Sequence, residues 1–195
     1  MVKPTKLFWK AGKHVLRYLR GTLEYGLWYR KEEGVKLQGF MDADWAGNPS
    51  NRKSTSRGNF SIGSKAISWY SRKQRSVALI SAKVQYMVAR QATCEAIWMR
   101  KILVGLFGSH LDLKLIHCDN HSCIKTSVNH VFHDRSKHID IQYHHIIDCV
   151  QRKIMLLQYI PTKDQDADIL TKALTRRKFE YHRGRIGVKD NPYLV

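Results

Sequence analysis

The hydrophobic period of this chain changes near residue 75, and that change decides the class of fold. Residues 35–45, VKLQGFMDADW, alternate apolar and polar side chains, and two shorter strand-like stretches follow at residues 59–62 and 66–70. The polar segment NPSNRKSTSRG between them reads as a turn region. From Ser76 to about Phe107 the spacing lengthens to three and four. This puts Ala78, Met87, Ala89, Ala92, Ala96, Ile97, Ile102 and Leu103 on a helical face, with Gly105 and Gly108 at its end. Beyond it LDLKLIHCDN alternates as a strand, HSCIKTSVN follows as a short helix, and residues 131–137 form a loop rich in His and charge. HIDIQYHHIIDCVQR carries Ile139, Tyr143, Ile146, Ile147 and Val150 at helical spacing, and KIMLLQYIP is a strand closed by proline. DQDADILTKAL reads as a helix with acids in its first turn, where they complement the dipole. The order βββαβααβα predicts an α/β fold, a mixed five-stranded sheet flanked by helices.

Ahead of the sheet, residues 6–20 place Leu7, Trp9, Ala11, Val15, Leu16, Tyr18 and Leu19 on a broad helical face, and Gly21 suits its stop. The expected organisation is an N-terminal helix and linker over residues 1–36, a main domain over 37–187 and a tail over 188–195. With 195 residues, 43% of them hydrophobic, the chain can bury one good core. Lys and Arg number 34 against 16 acids, a formal charge of +18, so the surface should attract polyanions, nucleic acid first among them. The longest apolar run, residues 97–107, is broken by charge and too short to span a bilayer, and no membrane partner is expected.

The N-terminus has no apolar core followed by a small-residue cleavage site, and Cys94, Cys118, Cys123 and Cys149 show no CxxC spacing. An intracellular setting, nucleus or cytoplasm, with reduced thiols is expected.

Asp42 lies in the first predicted strand, Asp119 at the carboxyl end of a later one, and Asp168 in the first turns of the last helix. Carboxylates from strand ends of an α/β sheet gather where ligands bind, and hard divalent ions prefer oxygen donors. Phosphodiester hydrolysis by two metals needs several such donors around ions about 3.5–4 Å apart. Each aspartate alone also reads as a cap or a solvated charge.

The stretches GFMDADWAGN, NRKSTS, ISWYSRKQRSVAL, HCDNHSCI, FHDRSKHIDIQYHHI and YIPTKDQDADILTKAL, in this order, resemble the ribonuclease H domain of copia-type retrotransposon polyproteins. The preceding PTKLFWKAGKHVLRYLRGTLEYGLWY resembles the segment that joins reverse transcriptase to that domain. The resemblance implies a ribonuclease-H-like fold, Mg²⁺ or Mn²⁺ as cofactor and an RNA:DNA hybrid as substrate. It assigns Asp42, Asp119 and Asp168 to the metal ions. The family's remaining carboxylate, a glutamate in a segment resembling SSTEAEYMA, falls on Gln85 in ISAKVQYMVA, and Lys83 replaces its neighbour. An amide offers a metal a carbonyl oxygen but no negative charge. Lys83, two residues away on a helix, faces elsewhere, and Glu95 is too far along to substitute. Asp44 shares a strand face with Asp42, although the resemblance gives it no metal role.

Arg57 is a second departure, since the family usually has glycine after KSTS. If that glycine serves a positive φ, arginine strains the turn; a shifted turn is the alternative. His138 matches a family histidine in KHIDI, in a region where ribonuclease H enzymes use a mobile histidine to aid product release, beside its reading as a surface or capping residue. Arg52, Lys53, Arg72, Lys73 and Arg75 are expected to line a nucleic-acid groove through phosphate contacts, or to form a solvated basic face.

His117, His121, His130, His133, His144, His145, Cys118 and Cys123 match no ordinary zinc spacing. Trp45, Trp69 and Trp98 read as core. The function expected is a retrotransposon-derived protein that binds hybrid, with cleavage weak or lost because Gln85 replaces the glutamate. The alternative is a domesticated, non-catalytic module that binds nucleic acid or a protein partner. The starting Met1 and short length are those expected of an independently expressed fragment.

Overall fold

The computed structural model describes residues 5–29, 36–44, 52–63, 65–74, 81–108, 115–128, 137–170 and 172–191; for residues 81–83, 126, 128 and 137–143 it describes the backbone alone. Five strands form one mixed sheet: β2 (Leu37–Asp44), β3 (Thr55–Ile62), β4 (Lys65–Lys73), β5 (Leu115–Cys118) and β6 (Leu156–Tyr159). Their order is β4-β3-β2-β5-β6. The meander β2–β3–β4 is antiparallel, whereas β5 and β6 join β2 in parallel. Parallel neighbours need long crossovers, which the helices α2 (Ser81–Phe107), α3 (His121–Val128) and α4 (Lys137–Gln151) supply.

The sheet and the period change thus agree with the fold expected from sequence. Residues 76–80 of the predicted long helix lie outside the described residues.

Small residues let α2 lie close to the sheet. Val88, Ala89, Ala92 and Ala96 are fully buried against a core containing Met41, Phe60, Ile116 and Met155. The Thr93 hydroxyl, buried on the same helix, donates to the Ala89 carbonyl at 2.7 Å, so burying it leaves no orphan donor. Helix α3 begins where expected because the Asn120 side chain accepts from Cys123 N at 3.0 Å.

Three features depart from the sequence reading. DQDADILTKAL does not form an α-helix; one 3₁₀ turn, Thr162–Asp164, ends at its first residue and a second, Asp166–Leu170, lies within it. Gln165, fully buried, donates to the Met41 carbonyl at 2.9 Å while its Oε1 accepts from Ala167 N at 3.3 Å. Those contacts pin the segment to β2 and compete with an α-helical ladder. A further helix, α5 (Arg176–Arg185), has no apolar stripe and is held by polar contacts described below. Finally, β1 (Tyr25–Leu27) pairs antiparallel with β7 (Val188–Asp190), so the segment after helix α1 (Lys6–Arg20) is bonded to the last described strand. Helix α1 itself has no buried residue.

Candidate active site

The sheet register brings the aspartates together. Asp42 lies one residue beyond Met41, which pairs with Cys118, and Asp119 follows Cys118 directly. The two carboxylates therefore leave adjacent parallel strands at the same end. Asp168 arrives from far along the chain because the Gln165–Met41 contact fixes the 3₁₀ turn that carries it against β2. Asp42 and Asp168 are buried, and Asp119 is half-buried with Thr162 Oγ1 donating to its Oδ2 at 3.2 Å.

Two cations occupy this cluster. Arg57 stands directly opposite Asp42 in the β2–β3 pair. Its guanidinium is wholly buried, with Nη1 2.7 Å from Asp42 Oδ2 and 3.5 Å from Asp168 Oδ1, and Nη2 3.4 Å from Asp44 Oδ2. Lys172 Nζ approaches the same oxygens, at 3.1 Å from Asp42 Oδ2 and 2.5 Å from Asp168 Oδ1. The turn-strain expectation for Arg57 is corrected: the residue sits in regular strand, and its side chain turns inward because its strand partner is a carboxylate. Among the described non-glycine residues, positive φ occurs at Arg52 and Lys153 instead.

The electrostatics follow from burial and these pairs. Burial works to raise Asp42, but the charges of Lys172 and Arg57 outweigh it and hold the carboxyl below its ordinary value. Burial pushes Asp168 up to about 6, with the facing Asp42 adding to the rise against the pull of Lys172. Asp119 is raised by burial and by the charge of Asp42. Of the three, Asp42 thus holds its charge most firmly, between the two cations.

A divalent ion does not fit this arrangement. It would need to sit about 2.0–2.6 Å from carboxylate oxygens that already lie beside a guanidinium and an ammonium. At an effective dielectric near 20, each pair of unit charges 4 Å apart repels by about 4 kcal/mol, and a divalent ion doubles that for each cation. Gln85 supplies no compensating charge, and its Oε1 is buried without a hydrogen-bond partner. No group of three or more His, Cys, Asp or Glu among the described residues is arranged to hold a metal ion.

Over 188 residues, 96% of its length, the chain is 38% identical to the retrovirus-related Pol polyprotein from transposon TNT 1-94 of Nicotiana tabacum. Over 192 residues, 98% of its length, it is 37% identical to that from transposon RE2 of Arabidopsis thaliana. The chain belongs to the copia-type retrotransposon Pol family. It spans 14% and 13% of those two polyproteins. No protein-family model matches it.

Among solved structures this Pol segment is similar to the N-terminal ribonuclease H domain of a Mycobacterium tuberculosis protein (TM-score 0.50, 10% identity, 77% of this chain and 98% of that one). It is also similar to LC11-RNase H1 isolated from compost (TM-score 0.51, 14% identity, 69% of this chain and 91% of that one). The fold is ribonuclease-H-like.

The other expected site residues of the Pol segment are dispersed. Arg72 and Lys73 are exposed at the end of edge strand β4, with Arg72 over the Tyr70 ring at 5.6 Å, and Arg52 is exposed before β3. Lys53 is half-buried, and Arg75 lies outside the described residues. His138 falls in α4, where the backbone alone is described.

The core reading of the tryptophans is corrected for two of them. Trp69 is 59% exposed because β4 is a sheet edge, and Trp98 is 55% exposed on α2, whose buried face is taken by Ala96, Met99 and Leu103. Trp45 lies outside the described residues.

Sequence reasoning passes over Lys172, although it stands four residues from Asp168. It also passes over Asp166. That carboxylate, almost fully buried, accepts from His182 Nδ1 at 2.9 Å and from Arg185 Nε at 2.8 Å, which anchors α5 beside the site. An acid flanked by other acids in DQDADIL gives no signal that it is paired.

Proposed function

We propose that this Pol-derived domain binds RNA:DNA hybrid, or another nucleic acid, and cleaves it weakly or not at all. The observation that carries this reading is the pair of cations lodged among the carboxylates, Arg57 and Lys172 between Asp42 and Asp168. Gln85 adds to it, because the amide leaves the cluster one charge poorer than a set of four carboxylates. Mg²⁺ or Mn²⁺ would be held weakly here. Affinity would come from the +18 chain, with Arg52, Lys53, Arg72, Lys73 and Arg75 contributing phosphate contacts. Recognition of a hybrid would rest on shape and 2′-hydroxyls rather than on sequence. Such a partner puts the proposed site of action in nucleus or cytoplasm.

Cleavage and binding of hybrid, assayed with Mg²⁺ and Mn²⁺ for wild type, Gln85→Glu and Asp42→Asn, test this. Binding without cleavage in the wild type is expected. Efficient wild-type cleavage that Asp42→Asn abolishes would overturn it, as would a failure to bind nucleic acid.

A second reading, contact with a protein partner, draws on helix α1. Leu7, Phe8, Trp9, Val15, Leu16 and Leu19 are all exposed on it. Deletion of residues 1–20 that leaves hybrid affinity unchanged but abolishes capture of a partner would favour this second role.

A further inference from the structure

We propose that Arg57 serves this chain as a built-in cation: its guanidinium holds the position between Asp42 and Asp168 that a divalent ion would otherwise take. The inference uses the same cluster as the functional reading, but it concerns the protein alone and stands whether or not nucleic acid binds.

Strand register places the guanidinium. Arg57 and Asp42 are direct partners in an antiparallel pair, so their side chains leave the same face of the sheet a few ångströms apart. The guanidinium then reaches three carboxylates, on Asp42, Asp44 and Asp168. Its planar fork puts Nη1 in a hydrogen bond with Asp42 Oδ2 at 2.7 Å and sets the rest of the charge beside the other two carboxylates. It does for these aspartates part of what a metal does for a ligand set, offsetting some of their charge and fixing their spacing.

Permanence separates Arg57 from Lys172. The Lys172 side chain is 37% exposed, and a flexible stem at the rim can swing into water when another cation arrives. Arg57 has no exposed surface, and its backbone is bonded to strands on both sides. For the guanidinium to leave, a wholly buried side chain would have to be repacked inside the sheet's core-facing side. Arg57, not Lys172, therefore decides whether a divalent ion can enter.

Mn²⁺ binding, followed by the loss of the free-ion electron paramagnetic resonance signal, and thermal unfolding in EDTA against millimolar Mn²⁺ provide the test. Wild type should show no saturable binding in the micromolar range, and its Tm should not respond to Mn²⁺. Arg57→Ala should unfold at lower temperature in EDTA and regain about 5–10 °C when Mn²⁺ exceeds its Kd a hundredfold. Arg57→Lys should stay indifferent to the metal, and so should Lys172→Ala.

Saturable micromolar Mn²⁺ binding by the wild type that Asp42→Asn abolishes overturns the proposal. So does a folded Arg57→Ala that ignores Mn²⁺, or a Lys172→Ala that gains affinity. If Arg57→Ala is unfolded with and without Mn²⁺, the wild type and its Asp42→Asn variant decide the matter alone. Hybrid binding is measured separately, so loss of the functional reading leaves these outcomes unaffected.

Discussion

Asp166 and His182, 16 residues apart and both almost fully buried, meet at 2.9 Å, while Arg185 Nε closes on the two oxygens of the same carboxylate at 2.8 and 3.0 Å. A helix with no apolar stripe is thus fastened to the 3₁₀ segment chiefly through Asp166, with Tyr181 donating to Asp164 Oδ1 at 2.9 Å beside it. Asp166→Ala should destabilise the protein by about 3 kcal/mol, the low end for removing one partner of a buried pair, because the Arg185 side chain keeps 36% of its exposure. Urea unfolding checks this: the midpoint should fall at unchanged m. A midpoint equal to that of the wild type would show that α5 is held by something else.

Gly58 meets the ring of Tyr70 so closely that a Cβ placed there would collide with the ring carbons. Gly58→Ala should cost about 1–3 kcal/mol by overpacking. Tyr70→Leu should relieve part of that cost, giving a measurable coupling in a double-mutant cycle. Additive effects of the two changes would mean that the strand shifts rather than the ring.

If Arg72 and Lys73 contact phosphates, replacing both by alanine should weaken binding of hybrids of unrelated sequence to the same degree. The dependence of log K on log salt should flatten by about 1 for each phosphate that is no longer neutralised. Fluorescence anisotropy across a salt series reads both quantities. An unchanged slope would assign these two residues to the solvated face of edge strand β4.

Cys94 is exposed, whereas Cys118, Cys123 and Cys149 are buried. The Cys123 thiol is pushed well up by its hydrogen bond with Cys118 and by burial, and burial raises Cys149. Ellman's reagent at neutral pH should therefore titrate one thiol quickly in the folded protein and all four in denaturant. Cys94→Ser should remove the fast phase and leave the slow one. Two fast thiols would mean that one of the buried sites opens readily.

Much of the scaffold is legible in the sequence because burial follows period. The alternation in VKLQGFMDADW marks β2, and the spacing of Ala89, Ala92 and Ala96 marks the inner face of α2. What escapes is decided by polar contacts across long separations. Gln165 holds a 3₁₀ turn by bonding to Met41, 124 residues away, and no window of DQDADILTKAL contains that partner. Helix α5 gives no hydrophobic pattern in RRKFEYHRGR, and the carboxylate that His182 and Arg185 meet, Asp166, lies outside that window.

Arg57 reads as a turn residue in the sequence because it ends the polar run NPSNRKSTSR. Its place among the carboxylates follows from the β2–β3 register, which sets it opposite Asp42. The same register could be drawn from sequence only by knowing which of several polar positions starts the strand.

The β1–β7 pair has a consequence for synthesis. Its register joins Tyr25 to Asp190, so one half of this two-stranded sheet emerges from the ribosome long before the other. At about 5–20 residues per second, β1 waits on the order of ten seconds or more for its partner, while the five-stranded sheet can already assemble. Of the described strands, the last to be made thus latches the first, and a ribosome stalled before Val188 would leave β1 without this partner.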